Sequence, residues 1–548
     1  MQATEQTPRE DLARADGDAP PPPRSVFGTW LLLRSWLRSV DVRSAVASAQ
    51  DIVTVAFVAV FHRVMGASLL HAPYGFDEHY FLWEGYSVTR GMVPYRDFQE
   101  FKPPMIFIVN ALGLKLFGLE AMRYREFFHL LSLAGFAAIA IALLSRRVNR
   151  LLVAALLALM IGHFFYGGFH DSAIDNSEGI GLDFFLIGTG ILLTKTRWER
   201  TQLALGGVVL ALVPLSKEPF VFVTIAAWLS LLVFHQFESR SFHATRRFAL
   251  FTIGGALSVA AVWFGYMLVT HSLSWYVVQL KESMSYSNEV AIRMGWFPKS
   301  PPDGVFKEVW HRLRESYLSY GQLSPFLPLF VAAVAFGGRR SVAGWLALLA
   351  FVGAVYGVTV GHGFIKHYFV IAMAGTFFAS TFGAIALGDY AERKGREFNR
   401  WLGLWWLGVG ILGLGPQFLK EQEKYADYKS PNPPVNVAEL TFVRTHTTRS
   451  ERIWTLGDPL LYVYADRLNA IREGNSVDEL IDCPPGQSDE ECLGPQRAEL
   501  ERARPKVVVF GDDEQLIFRK QRRIKALVMP FLNANGYTKI SDKFWVRP

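Results

Sequence analysis

From about residue 50 to residue 419 the chain repeats one pattern: an apolar run, a short charged loop, another apolar run. A spanning helix needs roughly 20 mostly apolar residues to cover about 30 Å of hydrocarbon, and residues 151–166 and 248–270 approach or exceed that length. The loops alternate in character. Arg146, Arg147 and Arg150 form one basic cluster, followed by Lys195, Arg197 and Arg200, and then by Arg240, Arg246 and Arg247. Arg339 with Arg340, and Arg393, Lys394, Arg396 and Arg400, continue the series. Cytoplasmic loops collect Lys and Arg, so the path runs out at Asp77, in at Arg146, out at Asp171, in at Lys195 and out at Lys217. It returns at Arg246, leaves over 271–322, and finishes outward after a last span at 401–419. The expectation is an α-helical polytopic membrane protein of about eleven spans.

Two segments strain this pattern. His62 and Arg63 interrupt the first span, at 51–70. Residues 103–118 are apolar, but a crossing there would invert every later loop. Pro103-Pro104 suits the first turn of a helix, and the short length with Lys115 inside predicts a juxtamembrane or re-entrant helix on the outer side.

Beyond residue 419 the periodicity changes. Residues 420–434 are charged and Pro-rich, and from 435 onward short strands alternate with helices. Residues 452–455 and 506–510 read as buried strands ending at Gly457 and Gly511, with a helix at 459–467 between them. A helix, an Asn-Gly turn and a terminal edge strand are expected over 527–545. This predicts a small α/β extracytoplasmic unit able to hold one modest core.

Composition agrees: 51% of residues are hydrophobic and 14% aromatic. The net charge of +7 is explained by the inner loops, so no nucleic-acid partner is implied. Residues 1–24 are polar, end in Pro20 to Pro23, and read as a disordered cytoplasmic tail; 30–40 reads as an interfacial amphipathic helix. Two cysteines, Cys483 and Cys492, share a Pro/Gly/acid-rich outward loop where a disulfide is permitted; two separate thiols are the alternative.

The first outward loop carries the densest candidate chemistry. Asp77 and Glu78 precede an aromatic helix, where negative charge is favoured by the helix dipole. Capping explains one acid, but Glu78, His79 and Glu84 arrive with it at the bilayer surface. Phe76-Asp77-Glu78, Gly91-Met92-Val93-Pro94-Tyr95-Arg96-Asp97-Phe98 and Lys102-Pro103-Pro104 together resemble the GT-C superfamily of integral-membrane glycosyltransferases that use polyprenyl-phosphate sugars. That superfamily includes the protein mannosyltransferases and the lipid A aminoarabinose transferase. Its odd span number, cytoplasmic N-terminus and outward C-terminal domain also match.

The resemblance implies three regions. Residues 1–49 would be a cytoplasmic tail with an interfacial helix. Residues 50–419 would form a transmembrane catalytic domain with a large first outward loop, 73–125, and 420–548 a periplasmic α/β domain of a bacterial inner-membrane protein. It further implies an inverting transfer from a polyprenyl-phosphate sugar to a hydroxyl on a glycan, lipid or protein at the outer face. Asp77 would be the general base with Glu78 beside it. Lys102 would neutralise the departing phosphate, with snorkelling as its alternative, and Lys217 would resemble the superfamily's outward lysine, with an ion pair to Glu218 as its alternative.

Arg123 and Arg125 are phosphate-binding candidates by guanidinium geometry, against ordinary headgroup contact. Asp171, Asp175 and Glu178 share the role of a second acidic loop, against helix capping by Asn176 or Ser177. Lys366, His367 and Tyr368, beside His362, are phosphate or sugar contacts or an interfacial belt. Residues 274–296 and 298–303 are an acceptor-groove expectation. No metal or other cofactor is predicted, although His79, His170, Asp77 and Asp171 are possible divalent ligands. The alternative function is a transporter or flippase of a lipid-linked saccharide, which would predict repeated halves and midplane charges. A scaffold or receptor subunit would leave Asp77 and Lys102 without a role.

Overall fold

The computed structural model describes residues 49–71, 76–100, 102–166, 176–195, 199–281, 341–360, 369–395, 401, 403–405, 408, 435–470, 489–511 and 521–548. The chain begins there with α1 (Ala49–Gly66) and a short 3₁₀ turn, followed by α2 (Phe76–Thr89) and α3 (Met105–Phe117). The bundle continues with α4 (Ala121–Ser145), α5 (Arg150–Tyr166), α6 (Ser177–Leu193), α7 (Glu199–Leu212), α8 (Phe220–Ser239) and α9 (Phe242–Val269). α10 (Ser341–Val360) and α11 (Phe369–Lys394) follow.

Among the described residues, α1, α4, α8, α9 and α11 are long and apolar enough to cross a membrane, and shorter apolar helices occur in α3, α5 and α10. The chain is a multi-pass membrane protein. Burial separates centre from rim: the apolar window of α11 is 100% buried, whereas that of α9 is 17% buried and turns Leu257 and Val262 outward. Among the described long apolar helices, α11 is thus the most enclosed and α9 the most exposed.

α3 starts immediately after Pro104, as the Pro-Pro pair predicts, and has 13 residues. Its length of about 20 Å falls short of the hydrocarbon thickness. Ile108, Leu112 and Leu116, four residues apart, form its exposed apolar stripe. His62 and Arg63 do not break α1. His62 is buried with Nε2 2.9 Å from Ser132 Oγ on α4, and its ring lies edge-on to His129. Arg63 pairs with Glu126. Neighbouring helices thus supply the polar partners that the sequence pattern lacks.

The C-terminal part contains α12 (Val437–His446), β1 (Arg452–Leu456), α13 (Leu460–Ala465), β2 (Leu468–Asn469), α14 (Asp489–Ala503), β3 (Val507–Phe510), α15 (Gln521–Ala534), β4 (Thr538–Lys539) and β5 (Phe544–Val546). The sheet order is β2-β1-β3-β5-β4, parallel from β2 to β3 and antiparallel beyond. β1 and β3 are buried on both faces, as parallel strands between helices must be. Ile453, Val507 and Val509 face α12 and α13, while Trp454, Leu456 and Val508 face α14 and α15.

Two expectations change. The terminal strand β5 lies inside the sheet and β4 forms the edge, because half-buried Phe544 and buried Trp545 need neighbours on both sides. Cys492 falls in helix α14, not in a loop. Cys483 lies outside the described residues, as do the 30–40 helix, His170, Asp171, Asp175, residues 282–303 of the acceptor-groove stretch, His362, Lys366, His367 and Tyr368.

Candidate active site around the Asp77 helix and Lys102

α2 carries the candidate acids, and its three faces do different work. At about 3.6 residues per turn, Asp77, Phe81 and Glu84 share one face, Glu78, Leu82 and Gly85 a second, and His79, Trp83, Tyr86 and Arg90 the third. The helix begins with Asp77 and Glu78 in its first turn and stops at Gly91, whose φ of +85° is open to glycine at no steric cost.

The first face meets Lys102. Its Nζ sits over the Phe81 ring, 4.6 Å from the centroid, a cation–π contact between Asp77 and Glu84 along the helix. Burial alone would favour the neutral amine. The carboxylates of Glu100, Asp77 and Glu84 outweigh it and the repulsion from Lys217, so the ammonium is held above its ordinary range and stays charged. Lys102 is further fixed through its backbone: its N–H donates to Glu100 Oε1 at 2.8 Å, and its carbonyl accepts from Tyr95 Oη at 3.0 Å.

The Pro94-to-Phe98 motif builds the support for this lysine. Tyr95, at φ +67° and buried, packs edge-on against Phe107 and Tyr276. Arg96 forks onto Asp97 at 2.8 and 2.9 Å and reaches the Thr270 carbonyl at 3.0 Å. Gln279, in a helical stretch at 273–281, bonds the backbone on both sides, at Tyr95 and Glu100.

The second face of α2 meets α4. Arg125 on α4 binds Glu78 bidentately at 2.7 and 2.8 Å, with both side chains buried, and its remaining nitrogen approaches the Leu69 and Leu70 carbonyls. Its donors are committed to the protein. Arg123, two residues earlier, is exposed and pairs with Glu120. The two arginines, equivalent as phosphate candidates in the sequence, thus occupy opposite environments.

Lys217 joins the same region from another loop. The Met105 N–H donates to the Leu215 carbonyl at 2.9 Å, stitching the Lys102-Pro103-Pro104 segment to residues 213–217. Lys217 pairs at 3.3 Å with buried Glu178 on α6, and burial pushes the carboxyl of neighbouring Glu218 up against the pull of Lys217. Asn176 caps α6, its side chain accepting from the Glu178 N–H at 3.1 Å. Glu178 is therefore the described member of the second acidic loop that reaches a candidate lysine.

Directly below, a groove of about 890 Å³ runs between α7, α8 and α9, lined almost wholly by apolar side chains from Leu210 and Trp228 up to Pro214, Leu215 and Met267. A second apolar hollow of about 500 Å³ adjoins it under Pro104 and shares Leu215 and Trp263. Gly207 and Gly255 let α7 and α9 touch: a Cβ on either would fall 2.0 or 2.1 Å from the other helix's carbonyl oxygen.

Sequence reasoning passed over Glu100 and the partners on the third face. Asp458, in Gly457-Asp458-Pro459, accepts from His79 Nδ1 at 3.0 Å. Its signal was a turn acid following a strand, indistinguishable in one dimension from a helix cap. Among the described residues no cluster of three or more His, Cys, Asp or Glu has metal-binding geometry.

No family model matches the chain, and no curated protein matches it. Solved structures do. ArnT from Cupriavidus metallidurans bound to undecaprenyl phosphate superposes with a TM-score of 0.54 at 14% identity, over 91% of this chain and 98% of its own. The apo state of the same protein gives 0.53 with the same identity and coverage. An oligosaccharyltransferase from Archaeoglobus fulgidus, in complex with Zn and sulfate, aligns at 0.48 and 13% identity, over 83% of this chain and 67% of its own. The chain has an ArnT-like fold.

Proposed function

Starting from that ArnT-like fold, we propose that the protein transfers a sugar, with inversion, from a polyprenyl-phosphate donor to a hydroxyl acceptor at the outer face of a bacterial inner membrane. The observation that carries this reading is the meeting of Lys102 and Lys217, each flanked by carboxylates, above a long apolar groove. A polyprenyl-phosphate sugar has the complementary form: an apolar chain, an anionic joint and a polar head. ArnT, with the same fold, has been solved with undecaprenyl phosphate.

In this reading the prenyl chain lies in the groove and the phosphate meets the two ammonium groups. Asp77, half-buried on the Lys102 face of α2, accepts the acceptor hydroxyl's proton as that oxygen attacks the anomeric carbon. The bond from anomeric carbon to phosphate oxygen breaks, and its electron pair leaves with the polyprenyl phosphate. Lys102 and Lys217 stabilise the charge that develops there. Glu78 and Arg125 orient α2 and touch no substrate. Asp171 and Asp175 would complete the acidic rim with Glu178. Arg123, Lys366, His367 and Tyr368 would contact donor headgroup or sugar, and Cys483 and Cys492 would pair as a disulfide. About eleven spans, a cytoplasmic N-terminus and an outward C-terminal unit belong to the same proposal.

The test is release of polyprenyl phosphate by the purified chain in lipid nanodiscs, offered a panel of polyprenyl-phosphate sugars with crude envelope acceptors. Wild-type release with sugar on an acceptor is expected. Asp77→Asn should lower kcat by about a hundred- to ten-thousandfold, and Lys102→Ala by about a hundred- to a thousandfold. No turnover with any donor, accompanied in vesicles by movement of lipid-linked saccharide between leaflets, would replace this reading with transport.

A further inference from the structure

The third face of α2 is covered by the C-terminal unit, through contacts that match residue for residue. α13 and its flanks present Asp458, Tyr462 and Asp466, four residues apart; α2 presents His79, Trp83, and Tyr86 with Arg90. His79 Nδ1 meets Asp458 Oδ1 at 3.0 Å, with each side chain less than a fifth exposed. Trp83 and Tyr462, both buried, lie with ring centroids 6.0 Å apart. Tyr86 Oη donates to Asp466 Oδ1 at 2.7 Å, and Arg90 donates to Tyr86 Oη at 2.8 Å and to the same carboxylate. The two helices thus run parallel, joined by three rungs, with an acid at each end of α13 reaching across to α2.

The ends of α13 are held from within the C-terminal unit. Asp458 Oδ1 also accepts from the Leu460 N–H at 2.9 Å, and Arg449 pairs with Asp466 Oδ2 at 2.7 Å. Asp466 adopts φ +59°, a left-handed cap that Asp tolerates. Tyr462 is anchored at its far end, accepting from the Thr455 N–H at 2.9 Å and donating to Asn469 Oδ1 at 3.1 Å. α13 is therefore tied to β1 and β2 through Tyr462, independently of its contacts with α2.

We propose that α13 is a positioning element for the transfer reaction: by clamping the third face of α2, it sets the place of Asp77 relative to Lys102. This rests on the proposed transferase function. The second face constrains α2 as well. Gly85 lets it press on α3 at Asn110, and Glu78 ties its first turn to Arg125. The rungs at His79, Trp83, Tyr86 and Arg90 add a hold over three turns of the third face. A small rotation of α2 would carry Asp77 away from Lys102, and a misplacement of about 1 Å is worth up to a hundredfold in rate.

The experiment compares wild type with Asp458→Asn/Asp466→Asn in nanodiscs. Asn retains an acceptor for the Leu460 N–H and tolerates positive φ, so the double variant removes the two charges with little else. Backbone hydrogen exchange over 76–90 should quicken while the bundle and the β1–β3 core keep their protection. kcat should fall between about ten- and a hundredfold, with the donor KM changed by less than about twofold. The variant Asp458→Glu/Asp466→Glu should recover part of the loss.

Unchanged exchange over 76–90 in the Asn variant overturns the clamp. Faster exchange with unchanged kcat overturns its role in positioning Asp77. A wild type without turnover overturns the transferase reading instead, and the exchange arm then still decides whether α13 holds α2.

Discussion

At the scale of single residues, the sharpest contrast is between Arg125 and Arg123. Each is a guanidinium near the start of α4, yet one is buried against Glu78 and the other is exposed beside Glu120. Breaking a buried, hydrogen-bonded ion pair from one side costs about 3–5 kcal/mol, because the charge left behind must be buried without it. Arg125→Ala should therefore lower stability by about that amount in thermal unfolding of the solubilised protein. Arg123→Ala should stay within about 1 kcal/mol, as exposed pairs do. Equal losses would mean that Glu78 has no need of Arg125. Lys102 illustrates a different balance: carboxylates on three sides keep its ammonium charged in spite of burial. A folded pKa raised above the unfolded value keeps its stabilisation at every pH below the unfolded value and loses it only as pH rises through the folded one. Donor binding should accordingly show no step from Lys102 across neutral pH.

At the scale of elements, glycines decide which helices meet. Gly207 and Gly255 lie where α7 and α9 cross, and each would drive a Cβ into backbone of the other helix. Backbone cannot rotate aside as a side chain can. Gly255→Ala should separate the pair and destabilise the protein by about 1–3 kcal/mol, read as a lower Tm. It should also widen the groove that Gly207 lines, weakening retention of a polyprenyl phosphate. An unchanged Tm would show that α9 is free to move at the rim. α2 follows the same logic with Gly85 against Asn110, which is why a polar, aromatic helix can lie flush on apolar α3.

At the scale of the whole molecule, the sheet and α2 share a hydrophobic core. Phe81, Leu82 and Trp83 of α2 belong to one cluster with Leu440, Ile453, Leu461 and Val509, so the C-terminal unit is seated on the candidate site. Its polar seal is Asp466. Burial would raise that carboxyl, but the Tyr86 hydrogen bond and the charges of Arg90, Arg449 and Arg467 prevail and hold it below the usual carboxylate range. A depressed folded pKa contributes stability above the unfolded value of about 3.9 and loses it as pH falls through the folded one. Protection of α2 against hydrogen exchange should therefore be level from about pH 8 to pH 5 and decline below about pH 4. A decline centred near neutral pH would remove Asp466 from this role.

Hydrophobic runs about 20 residues long and basic loops between them determined the helices, because a bilayer requires every spanning segment to satisfy its own backbone and to present apolar side chains. The start of α3 at Pro104, the acids in the first turn of α2, and strands β1 and β3 ending at Gly457 and Gly511 were legible for similar local reasons. Contacts between distant segments were not. The pairing of Lys217 with Glu178, the burial of His62 beside Ser132, the interior place of β5 and the rungs between α2 and α13 each join residues whose separation carries no periodicity. Local propensity and polarity belong to a stretch of chain and can be read along it. Which carboxylate neutralises which cation, and which helix face is covered, depends on desolvation and packing that exist only once the chain has closed on itself, and those the tertiary structure decided.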